Sequence, residues 1–201
     1  MIESVRIKKN TSTTLPVPTK SEHVFEGWYA NENYSGNPCP NVYIPTSDIT
    51  LYAKWRRIPY TVTFSSNYES GESNSSYILS GDSINIAEAP NRTGYTFVSW
   101  NTEANGTGIS YNPGVSYTVT GNITFYAQWQ INRYTVTFNP NYGSGITPTS
   151  IEVNYGTSLT NLNYPSLTRT GYTLLSWNIN ANGAGTNPST VTNNITLYAQ
   201  W

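Results

Sequence analysis

"YAQW" closes the sequence at residues 198–201, and the same ending stands as "FYAQW" at 125–129 and "LYAKW" at 51–55. These closing tryptophans, Trp55, Trp129 and Trp201, lie 74 and 72 residues apart. The other three, Trp28, Trp100 and Trp177, recur at intervals of 72 and 77. "YTVTF" at 60–64 returns unchanged at 134–138, and "RTGYTFVSWN" at 92–101 answers "RTGYTLLSWN" at 169–178. "KSEHVFEGWY" at 20–29 is a weaker copy. Self-similarity at a fixed period decides architecture before any local reading does. The chain is a tandem array.

Each unit follows one grammar. In "YTVTF", Tyr134, Val136 and Phe138 alternate with threonines, the period of a half-buried strand. A Gly/Ser/Asn stretch leads to a second alternating run, "SIEVNYG" in the last unit. A Pro-bearing segment, "TSLTNLNYPSLTRTG", has the length of a short helix and a turn. "YTLLSWN" is the third strand, "NANGAG" and "TEANGTG" carry Asn-Gly turns, and "NITLYAQW" is the fourth strand. The expected unit is therefore strand, strand, short helix, strand, strand, an α+β class that is mostly β. About 70 residues is marginal for burying a core. Large aromatics compensate, each removing on the order of 150–250 Å² from water when buried. Trp28, Trp55, Trp100, Trp129, Trp177 and Trp201, with Tyr95 and Tyr172, are accordingly read as the structural core of the motif.

The units are placed at 1–55, 59–129 and 133–201. "RRIP" at 56–59 and "QINR" at 130–133 join them with equal, short linkers that are not flexible Gly/Ser tethers. Equal linkers imply equal joints and a rod-like array. Counting back from Trp28 leaves no room for a "YTVTF" strand. Residues 4–10, "SVRIKKN", fall at the second strand, with Val5 and Ile7 set against Tyr77 and Leu79. The first unit is thus expected to be incomplete. Its open slot would be filled by strand exchange with a neighbouring molecule, or the unit would be loosened.

At residues 94–129 the pattern "GY-F--WNT-ANG-G--Y-PG" followed by "N-T-YAQW" resembles the Listeria–Bacteroides repeat, the B-repeat of internalin B and of many large bacterial surface proteins. The resemblance covers the second and third units fully and the first from about residue 4. It implies a compact β-grasp-like (ubiquitin-like) unit and tandem use in the stalk or adhesive region of a cell-surface protein. The opening strand would then lie mid-sheet, between the second and the fourth. The first unit departs from the pattern, with Glu22 and His23 for Gly–Tyr and "NENYSGNPCP" for the "ANG" turn.

Composition excludes several functions. Ten basic and eleven acidic side chains nearly cancel, and charged residues make up 10% of the chain, against roughly a quarter in ordinary domains. Nucleic-acid binding needs a basic field that a net charge of −1 cannot supply. No apolar run reaches the ~20 residues of a bilayer-spanning helix, and no signal peptide or anchor is visible, so membrane insertion is not expected and any export signal would lie outside this segment. The lone Cys39 sets up no disulfide framework, and the single His23, in the slot of Tyr95 and Tyr172, reads as an aromatic stand-in. No metal or other cofactor is implied. Residues 133–201 hold one carboxylate, Glu152, beside Arg133 and Arg169, so a carboxylate pair for acid–base catalysis cannot be assembled there. A basic residue eight before each third-strand tryptophan (Lys20, Arg92, Arg169) reads as a stem laid over the aromatic cluster with its head in water. The sequons at Asn122 and Asn194 are matched by chance in an Asn/Thr-rich chain.

Two readings remain for an extracellular, non-catalytic segment of the bacterial cell envelope. One is a stalk or spacer that projects other domains, with neighbouring repeats as its partners. The other is an adhesive module that binds host glycan or protein through Tyr/Asn/Thr-rich faces, with Tyr29, Tyr34, Tyr43, Tyr111 and Tyr117 as ligand-facing candidates.

Overall fold

A computed structural model describes residues 3–69, 71–143 and 146–201. The structure is built almost entirely of strands. The chain divides into two compact units, residues up to 88 with 100–127, and residues 89–99 with 128–201. The division falls inside the second repeat, so each joint between repeats lies within one unit.

The second repeat contains the fullest sheet. Its opening strand, Pro59–Ser65, pairs antiparallel with the second strand, Ser73–Leu79, and parallel with the closing strand, Ile123–Ile131. The third strand, Tyr95–Asn101, follows on the far side of the closing strand, and Ser110–Tyr111 forms the outer edge. The third repeat has the same order, with Thr149–Asn154, Arg133–Asn139, Ile195–Gln200 and Ser176–Asn178 side by side. In both repeats the opening strand is central, between the second and closing strands.

Alternation places the apolar residues. Val62 and Phe64 oppose Ile123 and Phe125, and Val136 and Phe138 oppose Ile195 and Leu197. Val62, Phe125, Val136 and Leu197 are fully buried, while the intervening threonines face outward.

The expected short helix is not there. Among the described residues the helical content is a single 3-10 turn, Leu159–Asn161, capped by Ser158, whose side-chain oxygen accepts from the Thr160 amide. Small ribbons take the helix's place against the sheet. Thr13–Thr14 pairs with Val42–Tyr43, Ser83–Asn85 with Ser116–Thr118, and an isolated bridge joins Ser158 to Thr190. The physical reason is composition: Thr, Ser, Asn and Pro are poor helix formers that bond their own backbone in extended turns. Leu15, Ile86 and Leu159 enter the core from this segment, one per repeat. The class is therefore β rather than α+β.

The first repeat departs further. Ser4–Ile7 lies directly against the closing strand, Ile49–Arg57, and antiparallel to it, with His23–Tyr29 on the other side. The slot beside the closing strand is occupied by a strand of the same molecule, which the sequence reading did not foresee. The alignment also shifts by one residue. Asn10 (φ 53), Gly81 (φ 80) and Gly156 (φ 79) make the same turn, each amide donating to the segment ahead of the closing strand (Pro45, Val119 and Val191 carbonyls). Ile7 therefore corresponds to Ile78 and Val5 to Ser76, not to Leu79 and Tyr77. One residue flips the face of a strand: Tyr77 points outward and is 82% exposed, whereas Ile7 is buried.

Candidate functional site

The six tryptophans fall into two classes. Trp28 and Trp100 are each 3% exposed, and their indole N–H groups donate to the carbonyls of Pro16 (2.7 Å) and Ala87 (2.8 Å) in the segment that replaces the helix. Trp177 is half-buried and meets Phe138 edge-on at 5.3 Å. The closing tryptophans Trp55, Trp129 and Trp201 are also half-buried. Each lies at a sheet end beneath a cation. Arg92 stacks on Tyr95 at 3.7 Å and reaches the Trp129 ring at 5.7 Å. Arg169 repeats this with Tyr172 at 3.7 Å and Trp201 at 5.8 Å, and Lys20 stands 5.9 Å from Trp55.

The recurrent basic residue thus makes a cation–π stack rather than only a hydrocarbon cover, worth about 0.5–1 kcal/mol where exposed. Tyr172, expected in the core, is 56% exposed because its ring is the outer leaf of that stack. Tyr95 is half-buried in the equivalent place. His23, in the same slot, lies with Nδ1 2.8 Å from the Ser21 carbonyl.

The "WN-…ANG-G" motif is an asparagine fastening. Asn101 is 1% exposed; its Oδ1 accepts from the amides of Glu103 (2.9 Å) and Gly108 (3.0 Å). Its Nδ2 donates to the carbonyls of Gly106 and Gly108 and to Ser110 Oγ. Asn178 makes the matching bonds to Asn180 and Gly185. A second asparagine follows the opening strand in left-handed conformation. Asn67 Nδ2 donates to the carbonyls of Ala104 and Ala127, and Asn141 Nδ2 to those of Ala181 and Ala199. These residues are legible in hindsight from their recurrence 74 and 77 apart.

Each joint is a backbone clamp. The amide of Ile58 donates to the Glu22 carbonyl (3.0 Å) and its carbonyl accepts from the Ser80 amide (2.8 Å). Asn132 does the same, donating to Gly94 (2.9 Å) and accepting from Tyr155 (2.8 Å). The first joint adds Arg57, bonded to the Ser80 carbonyl and at 2.6 Å to Asp82. The second adds Thr96, whose hydroxyl donates to Asn132 Oδ1 at 2.7 Å.

Side-chain sizes are matched across the clamp. At the second joint a Cβ on Gly94 (φ 79) would fall 2.0 Å from the Tyr155 ring, whereas the first joint carries Glu22 against the small Ser80. Gly94→Ala is therefore expected to lower the melting temperature of the repeat junction, with Tyr155→Ser restoring the part of the loss that comes from the clash and leaving the part that comes from a side chain at positive φ. Differential scanning calorimetry of the two single variants and the double variant checks this. Simple additivity would rule out the coupling.

The five ligand-facing candidates do not assemble. Tyr29 is buried on the opposite face of its strand, against Tyr34 and beneath Lys54, and Tyr43 packs on the first repeat's core. Tyr111 and Tyr117 meet edge-on at 5.7 Å and both lean on Phe125, and burial with the Tyr111 neighbour pushes the Tyr117 hydroxyl pKa up. Tyr34 alone of the five is exposed, edge-on to Tyr29.

What the sequence reading missed is Tyr198, an outward ring on the closing strand flanked by open cavities of about 370 and 520 Å³ lined by Asn182, Asn187 and Thr196 among others. Its counterpart Tyr52 bonds Glu32, which raises the Tyr52 pKa. Among the described residues no cluster of three or more His, Cys, Asp or Glu is placed to hold a metal. The best-connected carboxylate is Glu26, where burial pushes the pKa up but hydrogen bonds from Lys54 and Arg56 outweigh it and hold the group below its usual range.

With that geometry in view, comparison with known proteins gives the class. The Listeria–Bacteroides repeat domain matches residues 2–54, 60–128 and 134–200. The chain belongs to this family and carries three of its repeats. It is 32% identical over its whole length to a protein of Evansella cellulosilytica named "Putative membrane protein", spanning 31% of that protein. Over 77% of its length it is also 32% identical to Internalin H of Listeria monocytogenes, covering 27% of that protein. The chain spans less than a third of the curated relatives it matches. Among the described residues no helix is long and apolar enough to cross a membrane.

Proposed function

We propose that the chain is a non-catalytic spacer within a larger bacterial surface protein, its repeats stacked in fixed orientation so as to hold other domains away from the cell envelope. The observation that carries this reading is the joint. One linker residue, Ile58 or Asn132, bonds through both its amide and its carbonyl, and the bonded partners are a turn in one repeat and a strand end in the next. Two obligatory hydrogen bonds per joint oppose free swivelling. Similarity to Internalin H and to a membrane-named relative supports a surface location.

The sheet order, with a central opening strand parallel to the closing one, supports reading each unit as β-grasp-like, with ribbons in the helix's place. Small-angle scattering from the intact chain should fit a single elongated shape. Asn132→Pro, which removes the clamp's donor, should broaden the distribution while each repeat melts as before. A broad ensemble for the wild type would count against the spacer.

An adhesive role draws on one observation, the Tyr198 ring between two Asn/Thr-lined cavities. An aromatic face beside neutral amides and hydroxyls suits a glycan. Binding on a glycan array that is lost in Tyr198→Ala would favour adhesion, and silence across the array would favour the spacer.

A further inference from the structure

We propose that the first repeat is a strand acceptor, with a site for an extended "YTVTF"-type segment between Ser4–Ile7 and Ile49–Arg57. Three observations converge on this slot. The first is register. Val5 opposes Leu51 and Ile7 opposes Ile49. These are the places that Phe64 and Val62 take against Phe125 and Ile123 in the second repeat, and Phe138 and Val136 against Leu197 and Ile195 in the third. Ser4–Ile7, which corresponds to a second strand, thus stands one position inward of where second strands lie elsewhere. Its pairing is four residues long, against seven between Pro59–Ser65 and Ser73–Leu79.

The second observation is direction. Second strands run antiparallel to opening strands, which run parallel to closing strands. Ser4–Ile7 already runs antiparallel to Ile49–Arg57. A newcomer parallel to the closing strand therefore needs Ser4–Ile7 only to step outward by one interstrand spacing, about 4.8 Å, with no reversal.

The third is an orphaned donor. In the last repeat the closing tryptophan's indole N–H, on Trp201, donates at 2.8 Å to the carbonyl of Pro140, directly after the opening strand. In the first repeat the equivalent Trp55 Nε1 is buried and finds no partner among the described residues. A buried donor without an acceptor is costly, and the carbonyl it lacks is one that an opening strand brings with it. The same strand would carry an asparagine to the Ala53 carbonyl, as Asn67 reaches that of Ala127.

The occupant is an extended segment with Tyr, Val and Phe inward and Thr outward that is not seated in a repeat of its own. Backbone pairing would supply affinity and the inward side chains specificity. A second intact copy of the chain is not that partner, since its opening strands are already central in their own sheets.

The test adds a synthetic peptide of residues 59–68 to the intact chain and follows hydrogen exchange by residue. Amides in 49–57 should exchange about tenfold more slowly, and the Trp55 indole N–H should shift and become protected. The peptide carrying Phe64→Asp should do neither. A chain with Ser4→Cys and Tyr52→Cys, an outward-facing opposed pair, in a Cys39→Ser background can lock the present pairing by a disulfide. When oxidised it should lose the peptide response, and reduction should restore it. Protection that persists in the oxidised form would overturn the proposal. So would an absent response at excess peptide, or self-association of the chain that saturates the same amides.

Discussion

Trp100→Ala is expected to unfold the second repeat, and Trp129→Ala to weaken it without unfolding it. Both are tryptophans on neighbouring strands of one sheet, and the difference follows from where their surfaces go. Trp100 is nearly inaccessible, edge-on to Phe64 at 5.0 Å, and its N–H holds Ala87. Truncation leaves a void against Phe64 and takes the donor from the half-buried Ala87 carbonyl. Large-to-small changes of this kind cost about 3–5 kcal/mol, a large share of the total stability of a domain of ~70 residues. Trp129 is half-buried beneath Phe97 and Arg92, so its loss opens a notch that water can enter. Hydrogen exchange on the intact chain separates the two. In Trp100→Ala the amides of Pro59–Ser65 and Ile123–Ile131 should lose protection together, while those of the third repeat keep theirs. Native protection in Trp100→Ala would show that the residue serves something other than the core.

The strands and the repeat were legible because alternation and recurrence are written in the order of residue types. "YTVTF" can bury Val62 and Phe64 only by being extended, and a pattern that returns after about 70 residues must return as the same fold. The segment before the third strand was misread because its length admits a short helix, yet only one 3-10 turn forms there and the flanking Thr, Asn and Pro refuse to extend it. Tyr172 looked like core because it recurs, but recurrence marks any shared contact, and here the contact is the exposed face of Arg169. The displaced strand of the first repeat could not be read at all. Composition places "SVRI" on a strand, whereas which neighbour it pairs with depends on what else competes for the slot.

Asn101→Ala is the second substitution expected to have a large effect, and it acts on the hairpin loop rather than the core. The side chain is fully buried and its amide group has five hydrogen-bond contacts, two as acceptor and three as donor, the three sharing the two N–H hydrogens of Nδ2. Alanine leaves the amides of Glu103 and Gly108 and the carbonyls of Gly106 and Gly108 without that partner in a site shaped to exclude water. Leaving buried groups unpaired costs about 1–3 kcal/mol per group, moderated here because a surface loop can open and admit water. A loss of roughly 2–4 kcal/mol is expected on that principle, with the loop 102–109 becoming the first protease-sensitive segment of the chain. Asn178→Ala should cost less, since Asn178 is half-buried and makes three such bonds. Asp at position 101 discriminates the cause. It preserves the two acceptor bonds and abolishes the three donor bonds, and it sets a carboxylate against the carbonyls of Gly106 and Gly108. If bonding rather than volume governs the loop, Asn101→Asp should be at least as damaging as alanine at neutral pH and should recover as acid protonates it. A near-native melt for Asn101→Asp at neutral pH would show that the cavity's shape, and not its hydrogen bonds, fastens the loop.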